Sequence, residues 1–554
     1  MKEKISHLYN KALHDRKKLI IVSIFTLLFI LGISFIPKLN VNFDTIIEQR
    51  ILRSNVKNYS KLIGLNKLTE YYDKLDVPFI SEDVEKDHGV SAYYLFTPFL
   101  LLNYISPIYT IYMWYFYTFI IFFIGVIYFY RLIYYLFKSR KISTISSLLY
   151  VSCPRLFIDG IHNNKDIVLM SLLVIMIFYG LKMIDEKNKK NMILFSLVSG
   201  FVCNTKIIGL YFLGIIGLCF ILNLFIKKEW SKRNILYGLT VAFLSIIGYL
   251  LLTPAIWGNG KLEIVEFIKY CFKNSVSFRA DPIVLFEGEL YQNSINSLPF
   301  YYIPKMILIT IPIISSLLFC FGTINVIIQN IKNLFNRKKD FLIISLFCIL
   351  IMLLIPLIIA MTSHPVLYNG WRHFYFLYSL IMIISSYGFF VLFNKNKRFN
   401  EVISLLCVFT ILTNIGYLLK YNVANTAYYN ILINRKNIQE RYQLDYYEIT
   451  TKQAISSFVK SNKIKDNKGI YYFYGDGFNK RILNDYFTIF DSEYDRKFYI
   501  VNDEELDELL NDGNVIYLFN NPIYSLKDFK KYKKIYSYKI FDSNVIDFYE
   551  LKIK

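Results

Sequence analysis

The chain has 554 residues, of which 55% are hydrophobic and 19% charged, with a formal net charge of +21. So apolar a composition, carried in repeated uncharged runs, excludes a soluble globular protein and indicates a polytopic helical membrane protein. The positive charge does not point to nucleic acid, because the basic residues fall in short loops between apolar runs, where membrane topology accounts for them.

Leu19 to Ile36 carries no charge, and at 1.5 Å per residue it nearly matches a hydrocarbon layer of ~30 Å. A signal peptide would have a shorter apolar core and a small-residue cleavage site, which Gly32, Ser34 and Pro37 only weakly approximate, so this reads as a retained first span. The basic N-terminus (residues 1–18) and the clusters Lys138/Arg140/Lys141, Lys187/Lys189/Lys190, Lys227/Lys228/Lys232/Arg233, Arg337/Lys338/Lys339 and Lys395/Lys397/Arg398 are expected on the cytoplasmic side. Tyr109 to Phe137 must then return the chain, which leaves residues 38–108 as a first outer loop. Within that loop Ser91 to Ile105, interrupted by Thr97-Pro98, is expected as a re-entrant or interfacial helix.

Further crossings are expected at Ile142 to Ser152, Ile167 to Ile184, Met192 to Cys203, Ile207 to Ile226, Ile235 to Leu252, Met306 to Ile328, Phe341 to Met361, Phe374 to Phe393 and Val402 to Leu419. The fold class is therefore an all-α polytopic bundle of about 11 to 13 transmembrane helices over residues 19–419, two of the segments being short for a crossing. Beyond it, residues 420–554 turn polar, with strand-like runs at Ile470 to Tyr474, Val515 to Phe519, Lys534 to Ile540 and Val545 to Leu551. These predict a small C-terminal α/β domain, extracytoplasmic by the threading. Seven scattered cysteines show no metal-ligand spacing and read as core residues.

That threading gathers the polar outliers on the outer face. They comprise Asp44, Glu48, Asp87 and His88 in the first loop, the stretch SCPRLFIDGIHNNKD (Ser152 to Asp166), Asn204-Thr205-Lys206 at a tight turn, the Trp257 to Tyr302 loop, and His364 to His373. An ionisable group in hydrocarbon costs several kcal/mol, so such clusters belong at interfaces or in aqueous cavities. Nucleotides are absent outside the membrane, and no Gly-rich phosphate loop is present, so an outward-facing transferase would draw on a donor carried by the membrane. A polyprenyl-phosphate sugar fits. Its transfer needs a carboxylate to take the acceptor's proton and fixed cations to neutralise the departing phosphate.

Asp44 and Glu48, at i and i+4, would share one helix face at headgroup level. Arg155 offers a planar fork for phosphate, and Lys165 and Lys206 offer point charges at span ends. Asp87-His88 and Arg372-His373 are further pairs, with Asn164 and Asp166 beside them. Taken singly, each has a plainer explanation: a solvated loop carboxylate, a snorkelling lysine, a structurally hydrogen-bonded histidine. No cofactor is firmly predicted. A divalent metal among Asp44, Glu48, Asp87, His88 or Asp166 stays open, although the spacings match no template.

The segments DTIIEQRIL (Asp44 to Leu52), EKDHGVSAYY (Glu85 to Tyr94), SCPRLFIDGIHNNKD, NTKIIG (Asn204 to Gly209), LPFYYIPKMILITIP (Leu298 to Pro312), NGWRHFYFLY (Asn369 to Tyr378) and QLDYYEIT (Gln443 to Thr450) together carry a resemblance. In them the chain resembles the membrane-embedded GT-C glycosyltransferases of family 39, the protein O-mannosyltransferase and lipid A aminoarabinose transferase relatives. The resemblance implies that Asp44 is the catalytic first-loop carboxylate; Glu48 and Asp87 are the further carboxylate candidates that the sequence itself offers. The resemblance also implies that Arg155 and Lys206 lie near the lipid phosphate, and that a hexose or pentose on polyprenyl phosphate is transferred with inversion. Many relatives carry Asp-Glu where this chain has Asp44-Thr45, which leaves the division of labour between Asp44 and Glu48 open. The expected setting is the plasma membrane, with membrane lipids and a glycan, lipid or protein acceptor as partners and no nucleic acid. The competing readings are a polymerase or ligase using a pyrophosphate-linked donor, a lipid-linked saccharide transporter, and a non-catalytic envelope scaffold. A transporter should show polar or broken-helix positions near span midpoints, and almost none are found.

Overall fold

The structure is a computed structural model and describes residues 2–257, 263–276, 282–336, 338, 340–461, 463–464, 469–494, 497–522, 529 and 532–552. Of the expected cytoplasmic clusters, Arg337 and Lys339 lie outside the described residues, as do residues 258–262 and 277–281 of the Trp257 to Tyr302 loop.

In chain order the helices are α1 (Lys2–Phe35), α2 (Phe43–Leu62), α3 (Asn66–Lys74), α4 (Pro107–Phe137), α5 (Arg140–Ser152), α6 (Pro154–His162), α7 (Asp166–Glu186), α8 (Lys189–Thr205), α9 (Gly209–Lys227) and α10 (Lys232–Leu251). They continue with α11 (Ile264–Val276), α12 (Tyr302–Thr310), α13 (Ile313–Phe335), α14 (Phe341–Ser363), α15 (Phe376–Phe393), α16 (Lys397–Tyr421), α17 (Thr451–Val459), α18 (Gly477–Phe490) and α19 (Leu506–Asn511). Among the described residues, 9 helices are long and apolar enough to cross a membrane, and the chain is a multi-pass membrane protein. Two expected crossings are shorter: α5 has 13 residues and α8 has 17, so neither reaches the full hydrocarbon thickness unaided. A third is broken, because the extended backbone at Ile311-Pro312 divides the expected Met306 to Ile328 span into the end of α12 and the start of α13. Ser91–Tyr104 is a 3-10 helix containing Pro98 rather than a spanning segment.

Local sequence sets the ends of these elements. Ser139, Asn188, Ser231, Asp340 and Asn396 cap α5, α8, α10, α14 and α16 by accepting from a backbone N–H of the first turn. Pro107 and Pro154 open α4 and α6, where the missing N–H is not needed. α7 and α15 run through the centre of the bundle with most of their residues buried, whereas α10 lies at its edge. α13 and α15 meet backbone to backbone: a Cβ on Gly388 would overlap the Leu318 carbonyl oxygen, and one on Gly322 would overlap that of Ile384. Gly388→Leu should therefore force the two helices apart, at about 1–3 kcal/mol. A thermal unfolding midpoint in detergent that matches the parent protein would contradict this packing.

A short antiparallel hairpin, β1 (Val284–Phe286) and β2 (Glu289–Tyr291), precedes α12. The C-terminal region contains β3 (Ile470–Tyr474), β4 (Lys497–Ile500), β5 (Ile516–Asn520), β6 (Lys533–Ile540) and β7 (Ser543–Leu551) in the order β4-β3-β5-β7-β6. β3 is parallel to β4 and β5, with α18 as the β3-to-β4 crossover, and β7 is antiparallel to β5 and β6. Four of these strands match the expected runs; β4 had not been expected.

This region is seated on the bundle. The Asn430 amide donates to the Leu308 and Ile311 carbonyls at 2.7 Å each, satisfying the break between α12 and α13. The Asn40 N–H donates to the Ile449 carbonyl at 3.1 Å. Lys452 donates to the Tyr112 hydroxyl at 2.7 Å and pairs with Glu493 at the same distance.

Candidate active site

The start of α2 is fixed before any chemistry is considered. The Asn42 side-chain oxygen caps the helix by accepting from the Thr45 N–H at 2.8 Å, and its amide donates to the His162 carbonyl at 3.1 Å. Tyr115 of α4 donates to the Asn40 carbonyl at 2.8 Å and accepts from the Asn42 N–H at 3.2 Å. Behind them, His162 lies 3.1 Å from Asp159, whose other oxygen accepts from the Tyr375 hydroxyl at 2.5 Å. Asp44 thus sits in the first turn of a rigidly held helix, an end that favours a negative charge.

From Asp44 a continuous polar chain runs across the site. Arg372 donates through one nitrogen to an Asp44 oxygen at 2.6 Å and to the Tyr447 hydroxyl at 2.8 Å. Asn163 donates to the same hydroxyl at 2.8 Å and to Asp166 at 3.2 Å, while the other oxygen of Asp166 binds the Lys206 ammonium. The Arg372 guanidinium lies over the rings of Tyr368, Tyr446 and Tyr447 at 4.7, 4.9 and 4.9 Å. Asn164 reaches the Asp44 carbonyl at 3.5 Å. The structure thus brings together Asp44, Asn164, Asp166, Lys206 and Arg372, drawn from four separate sequence segments.

Lys165 and His373 both feel Lys206 and Asp166. Burial pushes the Lys165 amine below its ordinary pKa, with Lys206 acting in the same sense and Glu48, Asp87 and Asp166 opposing. Burial also pushes His373 well below the usual histidine range, reinforced by Lys206 and Arg372, so its ring is neutral near pH 7.

Glu48 and Asp44 differ in access. The Asp44 side chain is 39% exposed and the Glu48 side chain 5%, which leaves Asp44 alone of the two able to meet a substrate hydroxyl. Glu48 instead lies 3.2 Å from one nitrogen of His88, whose other nitrogen is 3.2 Å from Glu85. Glu85, Asp87 and His88 each bring one ligand atom within 4.8 Å of the others. A cation could be held there, but the His88 ring lying between Glu48 and Glu85 accounts for the same geometry without one. Asp44 and Asp166, also weighed as metal ligands, are paired with Arg372 and Lys206.

Arg155 is engaged elsewhere. It donates from two nitrogens to the Tyr428 carbonyl, at 3.4 and 3.2 Å, and lies over the Tyr429 ring at 5.1 Å, holding the segment after α16 against α6. The residues that sequence reasoning missed are Asn163 and Tyr447, the two links of the polar chain, together with Glu85. Tyr446-Tyr447 did stand inside one of the segments that carry the resemblance, but nothing in its local sequence marks a phenol as a site residue.

Glu448 is a further outlier. It has a left-handed backbone (φ +58°), and its carboxyl is pushed well above the ordinary range by burial and by the nearby carboxylates Asp445, Asp485 and Asp44, against Arg481. A carboxyl with a raised folded pKa binds more protons in the native than in the unfolded state, so its contribution to stability is present at acid pH and is lost as pH rises through the folded pKa. Glu448→Gln should therefore leave stability at pH 5 nearly unchanged and raise the unfolding midpoint at pH 8. A midpoint that falls equally at both pH values would remove the basis for this assignment.

Residues 101–252 match the family model described as dolichyl-phosphate-mannose-protein mannosyltransferase, a stretch that contains Asn163, Lys165, Asp166 and Lys206. The match bears out the resemblance to GT-C glycosyltransferases of family 39. No curated protein matches the chain. Among solved structures the chain is similar to ArnT from Cupriavidus metallidurans bound to undecaprenyl phosphate, with 9% sequence identity, a TM-score of 0.43, and coverage of 96% of this chain and 97% of that one.

Proposed function

We propose that this membrane protein transfers a sugar from a polyprenyl-phosphate-linked donor to an acceptor hydroxyl, with Asp44 as general base. The family model over residues 101–252 supports the reaction class, and the observation that carries the assignment of roles is the polar chain from Asp44 through Arg372, Tyr447, Asn163 and Asp166 to Lys206. It joins one accessible carboxylate to two cations, Arg372 beside Asp44 and Lys206 at the far end, in a single hydrogen-bonded path, the combination that a glycosyl phosphate requires.

In the reaction, Asp44 takes the proton of the acceptor hydroxyl as its oxygen bonds to the anomeric carbon. The bond from that carbon to the phosphate oxygen breaks, and its electron pair leaves with the polyprenyl phosphate. Arg372, Lys206 and Lys165 supply the positive charge that this anion meets, and attack from the face opposite the phosphate inverts the anomeric centre. A hexose or a pentose meets these requirements equally. The distribution of the basic loops supports a cytoplasmic N-terminus and a site at the outer face.

The test uses the full-length protein in detergent with a panel of radiolabelled polyprenyl-phosphate sugars and membrane extract as the source of acceptors. Transfer from one monophosphate donor supports the reading. Transfer only from a pyrophosphate-linked donor would replace it with a polymerase or ligase.

A further inference from the structure

α1 and α4 touch at one end. A side chain at Gly32 would overlap the Phe119 ring, and Phe29 stacks on Phe119 at 5.5 Å and meets Phe123 edge-on at 5.0 Å. From Phe29 back to Lys18, α1 lines, with α4 and α5, a groove of about 1280 Å³. This exceeds the 300–1,000 Å³ usual for small-molecule pockets. Along α1 the groove wall runs from Lys18 to Phe29, roughly 16 Å at 1.5 Å per residue, about half of a ~30 Å hydrocarbon layer. The groove is therefore as deep as one leaflet.

Its walls are apolar, with Val22 and Phe25 on one side and Ile124 and Ile127 on the other. Its one charged end carries Lys18, Arg131, Arg140 and Lys141, and among the described residues no acidic one lines it. Lys141 is held at that rim by the Asn400 side chain at 3.4 Å. Apolar walls alone would accept any lipid tail. Four cations gathered where the tails would end make the groove complementary to a negatively charged headgroup.

We propose that this groove binds one anionic diacyl phospholipid, its phosphate among Lys18, Arg131, Arg140 and Lys141 and its chains along α1 and α4. The site is separate from the polar chain around Asp44: the groove is lined by α4 from Ile120 onward, whereas Tyr115, nearer the start of α4, holds the backbone that leads into Asp44. By the charge distribution the lipid belongs to the cytoplasmic leaflet.

The test is native mass spectrometry of the full-length protein, stripped of lipid in detergent and then given phosphatidylglycerol or phosphatidylcholine of the same chain composition. The parent protein should retain one phosphatidylglycerol in preference to phosphatidylcholine. Retention should fall roughly tenfold or more in the double variant Lys18→Gln/Arg131→Gln. Ile127→Trp, which fills the groove and leaves the cations in place, should lose the adduct as well, with both variants eluting as the parent does on size exclusion. Equal retention of the two lipids, or an adduct unchanged in the folded variants, overturns the proposal. So does polyprenyl phosphate displacing phosphatidylglycerol from the parent at equal concentration, which would give the groove to the carrier lipid.

Discussion

Asp44→Asn is expected to lower the rate of sugar transfer by about two to four orders of magnitude, the usual contribution of a positioned base. The substitution keeps the size of the side chain and a hydrogen-bonding oxygen for Arg372, and Arg372 stays anchored by Tyr447 and three aromatic faces. Donor affinity should therefore change by no more than a few-fold, and the loss should appear in kcat rather than KM. Glu48→Gln makes the contrast, since the 5% exposed Glu48 carboxylate faces His88 and not the opening of the site. It should alter stability more than turnover. A fully active Asp44→Asn, or a Glu48→Gln that abolishes kcat with folding intact, would move the base one turn along α2.

Lys206→Met is expected to lose both activity and stability, and the two losses can be separated. Asp166 has a side-chain exposure of only 6%, so removing the ammonium that faces it leaves a buried carboxylate short of its counter-charge, a change that typically costs about 3–5 kcal/mol. Exchanging both partners in Lys206→Met/Asp166→Leu removes the stranded charge, and most of the stability should return. Transfer should not return, because the positive charge facing the leaving phosphate is still missing and Asn163 has lost one of its two acceptors. A double variant that recovers both stability and activity would show the pair to be structural only.

Much of this architecture was legible in the chain because it depends on runs and spacings. Uncharged runs of eighteen or more residues announce spans wherever they occur, and alternating runs near the C-terminus gave four of the five strands. Length judged against the bilayer also singled out α5 and α8 as short. The break at Ile311-Pro312 escaped notice because apolar sequence continues on both sides of it, and the carbonyls it frees are satisfied by Asn430, more than a hundred residues away.

The candidate site divides in the same way. Charged residues interrupting apolar sequence stand out, so Asp44, Lys165, Asp166, Lys206 and Arg372 could be named in advance. Tyr447 could not, because 47 tyrosines in the sequence give one phenol no contrast with the rest. Asn163 was equally silent, its value lying only in the two partners that the fold sets beside it. Arg155 illustrates the converse: an arginine at a membrane boundary suggests phosphate, and only the course of the chain after α16 reveals the Tyr428 carbonyl to which it donates.

The pairing of Asp44 with Arg372 joins positions 328 apart in the chain, and the next link, Tyr447, comes later still. A ribosome inserting this protein delivers the base with the first helices, yet the arginine that orients it emerges only after most of the bundle has been threaded. The phenol that anchors the arginine arrives last, with the region beyond α16. A partly synthesised or truncated chain therefore carries its carboxylate without the rest of the site, and should remain inert toward lipid-linked sugars until translation is nearly finished.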